Sequence, residues 1–469
     1  MGSRRSEALA ALIGSAALFY FGTGLAPLPA LTWLAPLPVL LVAPRVSGGV
    51  AAAIAFAALL IGMTNLWGWS ARSHDLPLWP WGLVASIGFA LTFLLVVVVF
   101  RALLRRGRPL LAVLAGPAVW VALLHLISLA SPAGIVGTLA TAQADVPVVL
   151  QIAAVTGSLG VDYLVLLVPS AIAAALTSAA TGRIRVLVTA GVVLVLALGG
   201  GALRLTGEPG PAQPVALIAH NQSGWAPDLA TREGHDLVTA YAAEIAALPP
   251  GVRTVVLPEA AFGSTEARPA VLVEPMSRLA EERGLDVVTG FAHRDGGAKY
   301  NYALTFPALG GDPVPYLKQH DTVSPPGNAE VFPPTTGARL GLEVCADVNF
   351  RDPTSAYATA GAELLAIPAS DERDNGWQHS RTALLRAVES GVPIAWSGRE
   401  TTQLLTDGWG RVIADAPTGG PTRFTTLVAE VPTGPGPTPY AHLGDWFPWL
   451  CLAFAVIAAV AARGERAGS

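Results

Sequence analysis

The sequence predicts a multi-pass α-helical membrane domain joined to an α/β domain held outside the cytoplasmic membrane. Composition is the first observation: of 469 residues, 52% are hydrophobic and only 13% charged. An ordinary soluble domain carries about 25% charged residues. Long apolar runs also fill the first 205 residues and return near the C-terminus, whereas the stretch between them alternates short apolar runs with amphipathic ones. The formal net charge of −4 lacks the basic footprint that nucleic-acid binding requires.

Seven apolar segments are read at 7–22, 26–43, 48–69, 79–100, 109–129, 148–178 and 184–204, and an eighth at 445–462. Most reach the roughly 20 residues that span a bilayer, although the first two are short. The segment after MGSRR lacks a small-residue cleavage site and is read as a retained helix rather than a signal peptide. With the N-terminus in the cytoplasm and eight alternating spans, the inner segments carry Arg4, Arg5, Arg45, Arg101, Arg105, Arg106, Arg108, Arg183, Arg185, Arg463 and Arg466. The short outer loops carry only Arg72. That asymmetry follows the positive-inside rule, so both termini are expected in the cytoplasm and residues 206–444 outside it. The loop WGWSARSHDLPLWPW (67–81) reads as an aromatic interface belt or as a gate for lipid chains.

From residue 206 the elements are those of an α/β fold. Strands are expected at PVALIA (214–219), RTVVLP (253–258), LDVVTGFA (285–292), YNYALTF (300–306), RLGLEV (339–344) and ELLAIP (363–368). VPIAWS, TQLLTD and TRFTTLVAEV follow as short strands. Helices are expected over 228–248, 268–284 and 376–390. Continuous apolar strand runs beside helices imply sheets buried on both faces. The proline-rich VPTGPGPTPYAHLGDW (431–446) is expected to be neither helix nor central strand, and to link the domain to the last span. The resulting domains are 1–205, 206–444 and 445–469.

Cysteine and lysine each occur only twice, as Cys345 and Cys451 and as Lys299 and Lys318. Cys451 lies in an apolar run, so no disulfide with Cys345 is expected. Three apolar strand ends present a chemically useful group: Glu259, Lys318 and Cys345. A thiol nucleophile needs a base for its proton and a positive group for the anion formed on its substrate, and a carboxylate and a lysine supply both. Each alone has a plainer reading: a solvated carboxylate, a surface lysine, a small core residue. His320, His379 and Asp371 lack metal-ligand spacing and are read as structural, so no metal is expected.

Pro-Glu after a strand, then Tyr-x-Lys, then Cys after another strand, resembles the Glu-Lys-Cys triad of the nitrilase superfamily. With membrane segments on both sides, the whole chain resembles the apolipoprotein N-acyltransferase family. FGTGLAPLPALTWLAPLPVLLVA (21–43), LQIAAVTGSLGVDYLVLLV (150–168), DNGWQHSRTALLRAVESGVPIAW (374–396) and GDWFPWLC (444–451) are similar to stretches of that family. HNQSGWAPD (220–228) does likewise and places Trp225 near substrate.

The resemblance implies an αββα sandwich with catalytic Glu259, Lys318 and Cys345, and no cofactor. It implies a phospholipid acyl donor, a thioester on Cys345, and N-acylation of the diacylglyceryl-cysteine of diacylated apolipoproteins by a monomer. Three features depart from the pattern. KQHDTVSPPGNAEVF puts no glutamate in register after Lys-x-His, which leaves Glu330 as the substitute through a longer loop. Cys-Ala-Asp stands where the family has Cys-Tyr-Glu, so Asp347 is the nearest equivalent. AVWVALLHLIS (118–128) lacks the Glu and Arg of a membrane motif. With the Ala/Arg/Gly/Pro bias, these point to a divergent, actinobacterial-style branch. The rival readings are a membrane-tethered nitrilase-type amidase and a degenerate paralogue that only binds lipoproteins.

Overall fold

The computed structural model describes residues 2–74, 76–221, 224, 226–371 and 374–462, and the chain divides into two compact units. Trp225, Arg463 and Arg466 lie outside the described residues. The first unit comprises 1–131, 137–205 and 443–469, and the second 132–136 and 206–442.

The first unit is helical. Four of its helices are long and apolar enough to cross a membrane: Leu78–Arg105, Pro109–Ala130, Leu159–Thr177 and Ala180–Arg204. A fifth span arises if Gly48–Gly62 and Thr64–Ser70, bent by 42°, count as one. The chain is therefore a membrane protein.

Fewer continuous spans form than the eight apolar runs suggest. The run at 26–43 breaks into Pro29–Leu34 and Leu37–Val42, with Pro36 and Pro38 at the junction. The run at 148–178 breaks at Gly157, whose φ of 74° ends the short helix Ala153–Thr156 before Leu159–Thr177 begins. Helix Gly2–Gly22 carries Arg4, Arg5 and Glu7 in its first turns, and Trp446–Ala461 has 16 residues. The irregular backbone is tied down by buried polar groups, as a low-dielectric surrounding demands. Asp162 accepts from Ala140 N (2.5 Å) and Trp120 Nε1 (3.2 Å). Gln143 accepts from Trp33 Nε1 (2.9 Å) and donates to Pro29 O (3.0 Å).

The second unit is an αββα sandwich. Its strands are β1 (Ala212–His220), β2 (Thr254–Val256), β3 (Phe262–Ser264), β4 (Asp286–Asp295), β5 (Ala298–Phe306), β6 (Val314–Leu317), β7 (Leu340–Leu342), β8 (Leu364–Ser370), β9 (Ile394–Arg399), β10 (Thr402–Thr406), β11 (Val412–Pro417) and β12 (Phe424–Pro432). One seven-stranded sheet runs β12-β1-β2-β4-β5-β6 with β3 paired to β4, and one five-stranded sheet runs β11-β10-β9-β8-β7. Strands β1, β2 and β4 are mutually parallel, as are β7, β8 and β9. β1 packs on β9 and β4 on β8, so the sheets lie face to face.

Helices Arg232–Ala246 and Ala270–Arg283 cover the first sheet, burying Leu237, Tyr241, Ile245, Leu272 and Met276 with Val255, Val287 and Phe291. Gly376–Ser390 covers the second. With both faces covered, the parallel strands read as unbroken apolar runs. The 431–446 stretch holds one helix against expectation, Pro439–Leu443. Proline is tolerated at a first helical position because the N–H it lacks is unpaired there in any case.

Candidate active site

Three of the chemistry-bearing residues follow the carboxyl ends of parallel strands, where open α/β sheets present their ligand crevices, and the fourth, Lys318, follows an edge strand antiparallel to β5. Glu259 follows β2, Cys345 follows β7, Asp371 follows β8, and Lys318 directly follows β6. These sites are drawn together from two sheets. Glu259 N donates to Ala369 O of β8 (3.2 Å), and Lys318 N donates to Asn301 O of β5 (3.0 Å). Gly290 on β4 is required for the approach: a Cβ there would collide with Pro258 O, Glu259 Cα and Ala260 N.

Glu259, Lys318 and Cys345 form one buried cluster, at 8%, 7% and 6% exposure. Lys318 Nζ donates to Glu259 Oε1 at 2.9 Å, Asn301 Nδ2 donates to the same oxygen at 2.6 Å, and the Cys345 thiol interacts electrostatically with both Glu259 and Lys318. Cys345 Sγ is also 3.3 Å from Ser370 O. Two backbones are strained here: Cys345 has φ 45° and Ala260, next to Glu259, has φ 46°. A left-handed non-glycine residue persists only where its surroundings over-determine it, and such positions cluster at functional sites.

Burial pushes the Glu259 carboxyl up, but the charge of Lys318 and the hydrogen bonds from Lys318 and Asn301 outweigh it, so the carboxyl is held below its usual range. Burial opposes the Lys318 ammonium, yet Glu259, Cys345 and Asp321 together raise it above its ordinary value. The Cys345 thiol is raised well above its usual value by burial first, then by the charges of Glu259 and Asp371, against the pull of Lys318. The resting site is thus an ion pair beside a neutral thiol.

Asp347 joins the lysine loop to the cysteine turn. Its Oδ1 accepts from Gln319 N (3.1 Å) and His320 N (2.7 Å), and its Oδ2 from Val344 N (2.9 Å) and Tyr316 Oη (2.8 Å). It is wholly buried and touches the backbone on both sides of the site. Glu330 is exposed, and no described interaction ties it to Lys318 or Cys345; its neighbour Val331 donates to Tyr357 Oη at 2.9 Å. The carboxylate beside Lys318 is instead Asp321, held below its usual range by Lys318 and by bonds from Val323 N and Ser324 N, against burial. Next to the undescribed Trp225, both backbone groups of Gly224 are clamped: Arg399 Nη1 donates to its O (2.7 Å), and its N donates to Glu400 Oε1 (2.9 Å).

Sequence reasoning missed Asn301, Asp321 and Asp371 as members of this cluster. Asp321 stands directly after Lys-x-His, and that adjacency was the available signal. Asn301 and Asp371 are brought in by strands that lie near Glu259 and Cys345 within their own sheets, which no local motif records. One Asp371 oxygen, a His379 ring nitrogen and Cys345 Sγ lie within 4.8 Å of one another, a spacing that admits a cation. Both ring nitrogens of His379 are already engaged by oxygens, Asp371 Oδ1 at 2.7 Å and Asn349 Oδ1 at 3.0 Å. Both ring nitrogens therefore already have oxygen neighbours within hydrogen-bond distance, which a hydrogen-bonded array explains without a cation.

Residues 214–434 match the carbon-nitrogen hydrolase family, and residues 15–171 match the apolipoprotein N-acyltransferase N-terminal domain. The chain is 29% identical over 274 residues to an apolipoprotein N-acyltransferase of Gloeobacter violaceus, covering 51% of this chain and 50% of that protein. It is 31% identical over 134 residues to the apolipoprotein N-acyltransferase of Geobacter metallireducens, covering 28% and 25%. Omega-amidase NIT2-A of Xenopus laevis is 26% identical over 219 residues, 39% of this chain and 77% of the amidase. Among solved structures, Saccharomyces cerevisiae Nit3 aligns with 48% of this chain and 92% of its own at 20% identity and a TM-score of 0.41. The matches span half or less of the length of these curated acyltransferases. The α/β domain is thus similar to carbon-nitrogen hydrolases, and the chain as a whole is similar to apolipoprotein N-acyltransferases.

Proposed function

We propose that the chain transfers an acyl group from a membrane phospholipid to the free amine of a diacylglyceryl-cysteine lipoprotein, on the extracytoplasmic side of the cytoplasmic membrane. The observation that carries this is the meeting of Glu259, Lys318 and Cys345 in one buried cluster, in a chain that also has membrane-spanning helices.

Glu259 takes the thiol proton as Sγ attacks the ester carbonyl. Because the resting thiol is held neutral, proton transfer and attack are coupled, and the carboxylate beside the thiol is ionised and ready. Lys318 and a backbone N–H near Cys345 stabilise the oxyanion, each such donor supplying roughly 3–4 kcal/mol. The C–O bond breaks, the proton on Glu259 passes to the leaving glycerol oxygen, and a thioester remains. The acceptor amine then attacks the thioester and the sulfur leaves. These are proton and acyl transfers throughout, and Asp347 holds the lysine loop and the cysteine turn in register for both.

The omega-amidase match favours a second reading, amide hydrolysis by the α/β domain alone. The helices and the match over residues 15–171 favour lipid substrates. Incubating the purified protein with phospholipid labelled in its acyl chain separates the two. Acyl transfer gives a hydroxylamine-labile adduct on Cys345 that requires Glu259. Ammonia release from amides without that adduct identifies an amidase, and neither product identifies a binding paralogue.

A further inference from the structure

Cys345 lies beside a second carboxylate that the mechanism above does not use. One Asp371 oxygen is within 4.8 Å of Cys345 Sγ. The side chains of Asp371 and His379 are 5% and 7% exposed, and His379 Nδ1 is 2.7 Å from Asp371 Oδ1. The far nitrogen of the ring faces Asn349 Oδ1 at 3.0 Å, and Asn349 Nδ2 in turn donates to Ala133 O at 3.2 Å. Asp371 is therefore oriented by a chain of three fixed groups. Its other oxygen, Oδ2, is buried and has no hydrogen-bond partner among the described residues.

An unpaired buried carboxylate oxygen is costly. Here its charge also works against the first half-reaction, because a negative group beside the thiol opposes thiolate formation. A positively charged hydrogen-bond donor that arrives after the thioester has formed reverses both penalties. The acceptor's α-ammonium is such a group.

We propose that Asp371, held in place by His379, receives the α-ammonium of the acyl acceptor and so selects primary-amine acceptors in the second half-reaction. This rests on the acyl-transfer reading. The ammonium gives one proton to Asp371, which releases it to solvent. The freed amine attacks the thioester carbon, the N–C bond forms and the C–S bond breaks. The second nitrogen proton passes through Glu259 to Sγ, which restores the thiol. His379 is a positioning residue, while Asp371 touches the substrate.

The two half-reactions are measured separately on the full-length protein in lipid nanodiscs, with acyl-labelled phospholipid and a diacylated lipopeptide bearing a free amine. Asp371→Asn is expected to form the Cys345 adduct at least as fast as wild type, because the charge opposing the thiolate is gone, while transfer to the lipopeptide falls about a hundredfold with a raised acceptor KM. Discharge of the adduct by hydroxylamine, which is uncharged at neutral pH, is expected to be unchanged. Asp371→Glu keeps the charge and is expected to recover part of the transfer. His379→Gln is expected to lose transfer in the same selective way, but less. Adduct formation that falls in step with transfer overturns the inference, as does transfer that survives Asp371→Asn. A wild-type chain that never forms the adduct overturns the acyl-transfer reading itself, whereas a normal adduct discharged equally well in the variant overturns this inference alone.

Discussion

Glu259 and Glu343 are both enclosed carboxyl groups near Cys345, one reaching it across the fold and the other two residues before it, yet they end in opposite states. Burial is the largest influence on each and drives both towards the neutral acid. At Glu259 the ammonium of Lys318 and the hydrogen bonds from Lys318 and Asn301 reverse it. At Glu343 the charge of Asp347 adds to the effect of burial, Thr354 and Arg386 offset only part, and the carboxyl is pushed up to about 8. The partner, not the depth, decides which carboxyl is ionised. This surrounding supports Glu259 as the group that accepts the thiol proton and leaves Glu343 a neutral acid at working pH.

Replacing residues on the two sides tests that contrast, starting with the largest expected effect. Cys345→Ala is expected to abolish both the adduct and transfer, read by mass and by labelled lipopeptide. Glu259→Gln keeps the shape but removes the proposed base, and adduct formation should fall by at least about a thousandfold. Lys318→Met leaves Glu259 buried without its cation, so the protein should lose about 3 kcal/mol or more of stability as well as activity, seen as a lowered apparent Tm.

Asp347→Asn replaces one accepting oxygen with a donor. At least one of the backbone bonds from Gln319, His320 and Val344 should be lost, and activity should fall about tenfold to a hundredfold without loss of the fold. Glu343→Gln is the smallest: activity should stay within about twofold. Its effect is on pH dependence. The folded state holds the Glu343 proton more tightly than the unfolded chain does. Its contribution to stability is therefore full below the ordinary value of 4.5 and is lost as pH rises towards about 8. The variant should melt like wild type in acid and above it in mild alkali. An Asp347 or Glu343 variant as inactive as Glu259→Gln would break the contrast.

The α/β half was more legible in sequence than the helical half. Apolar runs ending at Glu259 and Cys345 mark strands β2 and β7 because parallel strands covered on both faces must be continuously apolar. Gly376–Ser390 coincides with the helix expected over 376–390. Strands β3 and β11 and the helix Thr354–Thr359 escaped notice, since elements of three to six residues carry too little periodicity to register. In the helical half, apolarity alone does not reveal where a run breaks. Pro36 and Gly157 interrupt segments whose composition reads as a single span. Glu330 illustrates the same limit in the site: register along the chain nominated it, while the geometry sets Asp321 beside Lys318.

Composition and pattern by themselves determined that this chain has a membrane part and a covered α/β part, and that Glu259, Lys318 and Cys345 stand at strand ends. Those are consequences of hydrophobic burial and strand periodicity, which are local properties. The tertiary structure alone decided that the three meet, that Asp347 links their loops, and that Asp371 with His379 stands beside the thiol. Proximity between residues on two packed sheets depends on crossover connections and register, which no short stretch of sequence encodes. Charge state follows from the same contacts, because a buried carboxyl is ionised or neutral according to what the fold sets against it.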